Sequence, residues 1–298
     1  MEKYAGGVVN MGIYLSLTYT ESIVDAQSRE EKMKYRPAAV ADRFYPADPP
    51  LLMQQISGYF SESPCCDIIP KALILPHAGY LYSGAVAAKA LSLLRNRQRA
   101  YTRILLLGPS HYVGLNGCAL PRSDAFITPL GEIPIDKAGV TQLLAQRLAI
   151  ESDTAHQKEH ALEVQLPLLQ SCLEEFTLLP VVVGTTSPEA VQRLINQVAD
   201  QDTLIIVSSD LSHYHPYGEA NRIDADTRSN ILSLDAHLRP EQACGCHALN
   251  GLLEYAKKVN WQIKCVTHTN SGDVIARSES RQPRDNEEVV GYASFVLY

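Results

Sequence analysis

Basic runs are missing from this chain. No stretch of Lys and Arg exceeds two residues, and 33 Asp and Glu outnumber 26 Lys and Arg, for a formal net charge of −7. That leaves no electrostatic footprint for nucleic acid or for an anionic lipid surface. Also missing is an apolar run long enough to span a bilayer, which takes roughly 20 residues. The mildly apolar stretch from Gly6 to Leu17 is interrupted by Asn10 and Ser16, and it lacks the basic lead and small-residue cleavage site of a secretory signal. No Gly-x-x-x-x-Gly-Lys-Ser/Thr loop is present and no Gly-x-Gly-x-x-Gly follows a strand, so the usual nucleotide-phosphate cradles are excluded. Ser83 and Ser110 lack the Gly-x-Ser-x-Gly elbow of a serine hydrolase. The seven cysteines, at 65, 66, 118, 172, 244, 246 and 265, are odd in number and scattered, unlike a secreted disulfide framework. A soluble, cytoplasmic protein that binds neither nucleic acid nor membrane is expected.

What is present suits one large core. A chain of 298 residues buries roughly 75% of the surface its unfolded form exposes, without metal or disulfide staples. Residues 1–34 differ in texture, ending in Arg29-Glu30-Glu31-Lys32 before Met33. They are expected to be a disordered extension or a misplaced start, with one domain over 35–298. From Arg36 onward, strand-like runs alternate with helix-like segments. The strand candidates are Ala72 to Leu75, Arg103 to Leu107, Leu178 to Val183, Thr203 to Val207, Gln262 to Thr267 and Val289 to Val296. Helices are expected over Gly84 to Leu94, Asp136 to Leu148, Pro188 to Ala199, Gly218 to Leu234 and Cys246 to Lys258. Asp136 and Ser187 serve as N-caps, and Pro188 occupies the first turn. The fold class is α/β: a single domain with a mostly parallel, buried central sheet flanked by helices.

Three apolar strands run into polar clusters, namely Pro76-His77-Ala78-Gly79-Tyr80, Gly108-Pro109-Ser110-His111 and Ser208-Ser209-Asp210-Leu211-Ser212-His213. In an open α/β sheet ligands bind beyond the carboxyl ends of strands, so the three histidines point to one shared site. A fourth cluster holds His156, Glu159, His160 and Glu163. His160 and Glu163, three apart on a helix, share a face and suit either a ligand pair or a pair that orients a ligand from behind. A solvated helix start is the plainer alternative. Cys244-Gly245-Cys246-His247 has the residue types of a metal site without the spacing of a zinc finger. One functional thiolate is the economical reading.

At these residues the sequence resembles the Memo family, the group also labelled protein B of the AmmeMemoRadiSam system. The resemblance is carried by Arg36-Pro37-Ala38-Ala39-Val40-Ala41-Asp42-Arg43-Phe44-Tyr45-Pro46, by Pro76-His77-Ala78-Gly79-Tyr80 with Tyr82-Ser83-Gly84, and by Gly108-Pro109-Ser110-His111. It continues through Thr128-Pro129-Leu130-Gly131, Glu159-His160-Ala161-Leu162-Glu163-Val164-Gln165-Leu166-Pro167 and Ser208-Ser209-Asp210-Leu211-Ser212-His213. Ala243-Cys244-Gly245, Asn270-Ser271-Gly272-Asp273 and Val290-Gly291-Tyr292 complete it. The family is similar in fold to class III extradiol dioxygenases, whose non-haem iron is held by two histidines and a carboxylate.

Carried over, the resemblance implies that His77 and His111 are metal ligands, with Cys244 in place of the carboxylate. His213, with Asp210, matches the acid/base position. Two departures stand out: Asp42 occupies a position more often Gly, and Cys246 one that is commonly basic. Imidazole suits Fe, Cu and Zn alike, while a thiolate shifts preference toward Cu(I), Zn or thiolate-ligated Fe. The implied function is a metal-dependent redox protein using iron or copper, with zinc compatible. Two alternatives are a binding protein for phosphorylated or anionic peptides and a copper- or iron-sequestering protein. Its ligand is a small molecule or peptide, and AmmeMemoRadiSam proteins are implied partners.

Overall fold

Apolar runs without polar alternation form the middle of the sheet. The side chains of Leu73, Ile74, Leu105, Leu106, Leu179 and Ile206 are all buried, as expected of strands covered on both faces. Within the described residues 33–61, 68–95 and 97–298 of this computed structural model, the strands in chain order are β1 (Tyr35–Arg36), β2 (Ala72–Leu75), β3 (Arg103–Pro109), β4 (Cys118–Leu120), β5 (Ala125–Thr128) and β6 (Gly131–Pro134). They continue with β7 (Ile150–Glu151), β8 (Thr177–Val183), β9 (Thr203–Ser208), β10 (His213–Pro216), β11 (Ile263–Asn270) and β12 (Glu288–Leu297). β1, β5 and β6 form a small sheet, and nine strands form the large one in the order β10-β12-β2-β9-β3-β8-β4-β7, with β11 also on β12.

The large sheet is α/β as expected, with a parallel centre and antiparallel margins. Pairs β2/β9, β9/β3 and β3/β8 at the centre are parallel, as is β4/β7. β12 runs antiparallel to β2, β10 and β11, and β4 antiparallel to β8. The architecture is therefore mixed α/β. Ser110 to Gly117 turn the chain back after β3 without a crossover helix, so β4 has to run against β8. The parallel centre is what matters for the site, because it brings the carboxyl ends of β2, β9 and β3 side by side.

Local chemistry fixes the helices that frame this edge. Asp136 caps Lys137–Ala145 by accepting from the Gly139 amide, and Ser187 caps Pro188–Val198 by accepting from Ala190. Pro188–Val198 buries Val191, Leu194, Ile195 and Val198 and lies close against Cys246–Lys258, where a Cβ at Gly251 would collide with Val191. That contact anchors the helix whose start carries Cys244. The first helix after β2 spans Tyr80–Leu91, four residues earlier than the expected Gly84 start. Only Pro76 to Gly79 are left to turn from strand to helix.

Lys34–Tyr298 form one compact unit. The expected extension over 1–34 lies outside the described residues apart from Met33 and Lys34, as do Cys65 and Cys66. Asp42 has φ 61, the left-handed region that favours glycine. Its Oδ1 accepts the Ala47 N–H at 2.7 Å, a local bond that helps Asp tolerate this backbone. No helix among the described residues is long and apolar enough to cross a membrane.

Candidate metal centre

His77 follows β2 by two residues, and its position is set from three sides. Its N–H donates to Asp210 Oδ1 at 2.7 Å, while Gln165 Nε2 donates to the Pro76 carbonyl at 2.9 Å. Its ring Nδ1 lies 3.0 Å from Ser208 Oγ. The Ser208 hydroxyl has one proton, which it donates to the Ala161 carbonyl at 2.6 Å, and it accepts from Gln165 Nε2 at 2.9 Å. Ser208 must therefore also accept from His77, which places the imidazole proton on Nδ1 and leaves Nε2 bare. Burial, helped by the neighbouring His111 and His213, lowers the His77 pKa to about 3, so the ring is neutral at pH 7.

His111 arrives by the same logic from the end of β3. Its Nδ1 lies 2.8 Å from Glu159 Oε1 and its backbone N–H donates to Glu159 Oε2 at 2.7 Å. Glu159 Oε1 also takes the Ala161 N–H at 3.0 Å. Burial alone would raise this carboxyl, but the His111 and Ala161 bonds outweigh it and bring the pKa down to about 2. The carboxylate only accepts, so His111 too carries a proton on Nδ1, leaving Nε2 as its ligand nitrogen.

Cys244 is pressed against the loop after β9. A side chain at Gly245 would put Cβ 2.7 Å from Ser209 Cβ and 3.0 Å from the Ser208 carbonyl, so this close approach requires glycine. Cys244 Sγ receives the Asp210 N–H at 3.3 Å and lies 3.3 Å from His77 Nε2. Burial first, and the Asp210 carboxylate second, push its thiol pKa well up. One ligand atom from each of His77, His111 and Cys244 lies within 4.8 Å of the others. Two imidazole nitrogens facing a sulfur are a donor set that a transition metal fits, and a bound cation would displace the thiol proton.

His160 completes a cluster of rings. It stacks on His111 at 4.6 Å and meets His77 edge-on at 5.4 Å, with Phe44 at 4.8 Å on another side. Burial and the two neighbouring histidines lower its pKa to about 4. His111, Glu159 and His160 form a second group of possible ligand atoms within 4.8 Å. Exposed Tyr112 stands beside it, with its hydroxyl 3.4 Å from His160 Nδ1.

Comparison with known proteins assigns the family. Residues 36–296 match the sequence profile of the Memo-like protein family. The chain belongs to the Memo-like family. A MEMO1 family protein of Archaeoglobus fulgidus is 32% identical over 274 residues, covering 87% of this chain and 97% of its own. Others, from Thermoplasma volcanium and Saccharolobus solfataricus, are 30% and 31% identical over 88% and 85% of this chain. The crystal structure of an uncharacterized protein from Escherichia coli K12 matches with a TM-score of 0.48 at 11% identity, covering 76% of this chain and 100% of its own.

Within this Memo-like chain the remaining expected residues fall in different places. Glu163 does not pair with His160. Its buried carboxylate binds Arg36, accepts the Ala39 and Val40 N–H groups at 2.8 and 3.0 Å, and takes the Tyr45 hydroxyl at 2.6 Å. The helix His160–Glu163 is a single turn, and its two ends serve different walls. Asp210 is turned to the His77 and Ala78 amides, so it holds the His77 loop, and burial raises its pKa. His213 lies half-buried in β10, close enough for its charge to act on both His77 and Asp210. Cys246 is buried and belongs to neither ligand group among the described residues. Glu159, Ser208 and Gln165, which set the two imidazoles, were not assigned roles from sequence. Each lies 43 or more residues from the partner that reveals it.

Proposed function

We propose that this Memo-like protein is a metal-dependent redox protein in which His77, His111 and Cys244 hold one ion of iron or copper, with zinc compatible. The observation that carries this reading is the convergence of two imidazole nitrogens and a thiol sulfur within 4.8 Å. Such a metal would supply a Lewis-acidic, redox-active centre. The chain's own residues do the rest. Glu159 and Ser208 keep each imidazole proton on Nδ1, away from the ligand face, and Asp210 fixes the backbone that carries His77. His213, outside the ligand set, is the imidazole placed to take or give a proton beside it.

The thiol argues against simple ring cleavage of catechols. A thiolate donates more charge than a carboxylate and is itself oxidisable, so a site turning over catechol and dioxygen would be exposed to self-inactivation. The free thiols Cys118, Cys172, Cys244, Cys246 and Cys265 suit a reducing compartment, the cytoplasm.

The test is metal analysis of protein purified with and without air, on the unaltered chain and on His77→Ala, His111→Ala and Cys244→Ser. One ion per chain, lost in each variant while the fold survives, is the expected result. Full metal retention in all three would end the assignment. Oxygen uptake with a catechol panel separates the redox reading from ring cleavage.

A further inference from the structure

Away from His77 and His111, β11 borders two adjoining cavities, of about 340 and 190 Å³, that share His268, Thr269 and Arg277. The first is also walled by Lys89 and by Tyr82, Val86 and Val274; the second by Arg228. Three elements therefore deliver cations to the same stretch of strand: Lys89 from Tyr80–Leu91, Arg228 from Tyr217–Leu232, and Arg277 from Ser271–Ser278.

Among the described residues none of these cations forms an ion pair with a carboxylate, although Asp224 and Asp273 share the second cavity's wall. Arg277 donates to Thr269 Oγ1 at 2.9 Å and Arg228 to the Asp224 carbonyl at 3.3 Å. Arg228 also bonds the Cys265 side chain, and Lys89 has no hydrogen bond to its ammonium among the described residues. Lys89 and Arg228 are half-buried and Arg277 is exposed, and partly desolvated charges are normally paired. The two carboxylates on the wall are already engaged: Asp224 accepts the Ser212 N–H at 3.0 Å, and Asp273 accepts the Tyr217 hydroxyl at 2.9 Å. In a chain of net charge −7, three cations converge on one cavity pair without a direct carboxylate contact among the described residues. The first cavity falls in the size range of small-molecule sites.

We propose that this paired cavity is a binding site for a small organic anion, in which Lys89, Arg228 and Arg277 hold a carboxylate or phosphate group and the Tyr82, Val86 and Val274 wall receives its apolar part. Arg277 stands at the junction and reaches both lobes. The site is independent of the metal reading, since no proposed ligand lines either cavity.

Titration calorimetry on the full chain tests it with benzoate and benzyl phosphate as probes, benzyl alcohol as the uncharged control, and inorganic phosphate for the charged group alone. Binding by an aromatic anion, weakened by high salt and about tenfold or more by Arg277→Gln combined with Lys89→Gln, is the expected result. The carboxylate and phosphate arms decide which head group is preferred. Arg228→Gln alone provides a second readout should the double variant lose its far-ultraviolet dichroism. The proposal is overturned if neither aromatic anion binds, if benzyl alcohol binds as tightly, or if binding is unchanged in the folded variants.

Discussion

Glu159 grips His111 twice, its Oε1 lying 2.8 Å from the ring Nδ1 and its Oε2 taking the backbone N–H of the same residue at 2.7 Å. One buried carboxylate thus fixes where the imidazole sits, which way it faces and which nitrogen is protonated. Ser208 does the corresponding work for His77 with a neutral hydroxyl. The two histidines are therefore held by groups of different charge, and removing the charged one should cost more.

Glu159→Gln is expected to keep the fold and lower metal affinity by about 10- to 100-fold, because a Gln amide cannot accept with both of its terminal atoms. Competition of the loaded protein against a chelator measures this. Equal affinity in the variant would show that His111 is oriented by something other than Glu159.

The separation of legible from hidden follows the range of each signal. β2 matches its expected bounds and β9 extends its own by one residue, because continuous Leu and Ile mark a strand buried on both faces. The caps Asp136 and Ser187 are equally local. β10 is polar along its length, and only its pairing with Glu288–Val290 makes it a strand, so its sequence reads as loop. Likewise the strand ends place His77 and His111 at one edge, but the pairing of His111 with Glu159 spans 48 positions. Glu163 shows the opposite failure. Helical spacing suggests a partner in His160, and the single-turn helix gives it to Arg36 instead.

The Arg36–Glu163 pair yields a stability prediction. Arg36 also donates to the His156 and Glu159 carbonyls at 3.1 and 2.7 Å, and both partners are buried. Glu163→Ala leaves a buried guanidinium short of its anion, and the expected loss is about 3–5 kcal/mol, read as a lower urea midpoint. Combining it with Arg36→Met should cost less than the two single changes added together. Strict additivity would mean that the two side chains do not act as a unit.

His156 makes stability fall with acid. Its Nε2 lies 3.0 Å from the Ala119 carbonyl, and burial, with the charge of Arg36 adding to it, lowers its pKa from 6.5 to about 4. Between those values the unfolded chain is protonated at this residue and the native one is not. The contribution of His156 to stability is therefore full above pH 6.5 and declines as pH falls toward 4, by roughly 3 kcal/mol, and His77 and His160, lowered in the same way, add to the fall. Below pH 4.5 the unfolded chain also takes up a proton at Glu159 while the native carboxylate, whose pKa is about 2, does not, and this continues the decline. Urea midpoints of metal-free protein across this range measure the slope, and His156→Gln should make the part above pH 4.5 shallower, the remainder belonging to His77 and His160. An unchanged slope in that variant would assign it to other groups.

The last prediction separates His213 from the metal ligands. β10 pairs with β12 at His213 and Val290, and its register slips before His215. At the slip Tyr214 adopts φ 58 and is 72% exposed. The bulge re-aims the strand and leaves His213 half-buried beside the site. No ligand group includes it among the described residues, and Asp210, three residues earlier, spends its carboxylate on the His77 and Ala78 amides. His213→Ala should therefore hold metal as tightly as the unaltered chain, while Asp210→Ala should weaken metal binding by loosening the His77 turn. Once a turnover assay exists, His213→Ala should also lose about 10²–10⁴-fold in rate, the usual contribution of a general acid or base. Loss of metal in a folded His213→Ala protein would make this residue a ligand, and the proton would have to be carried by another group.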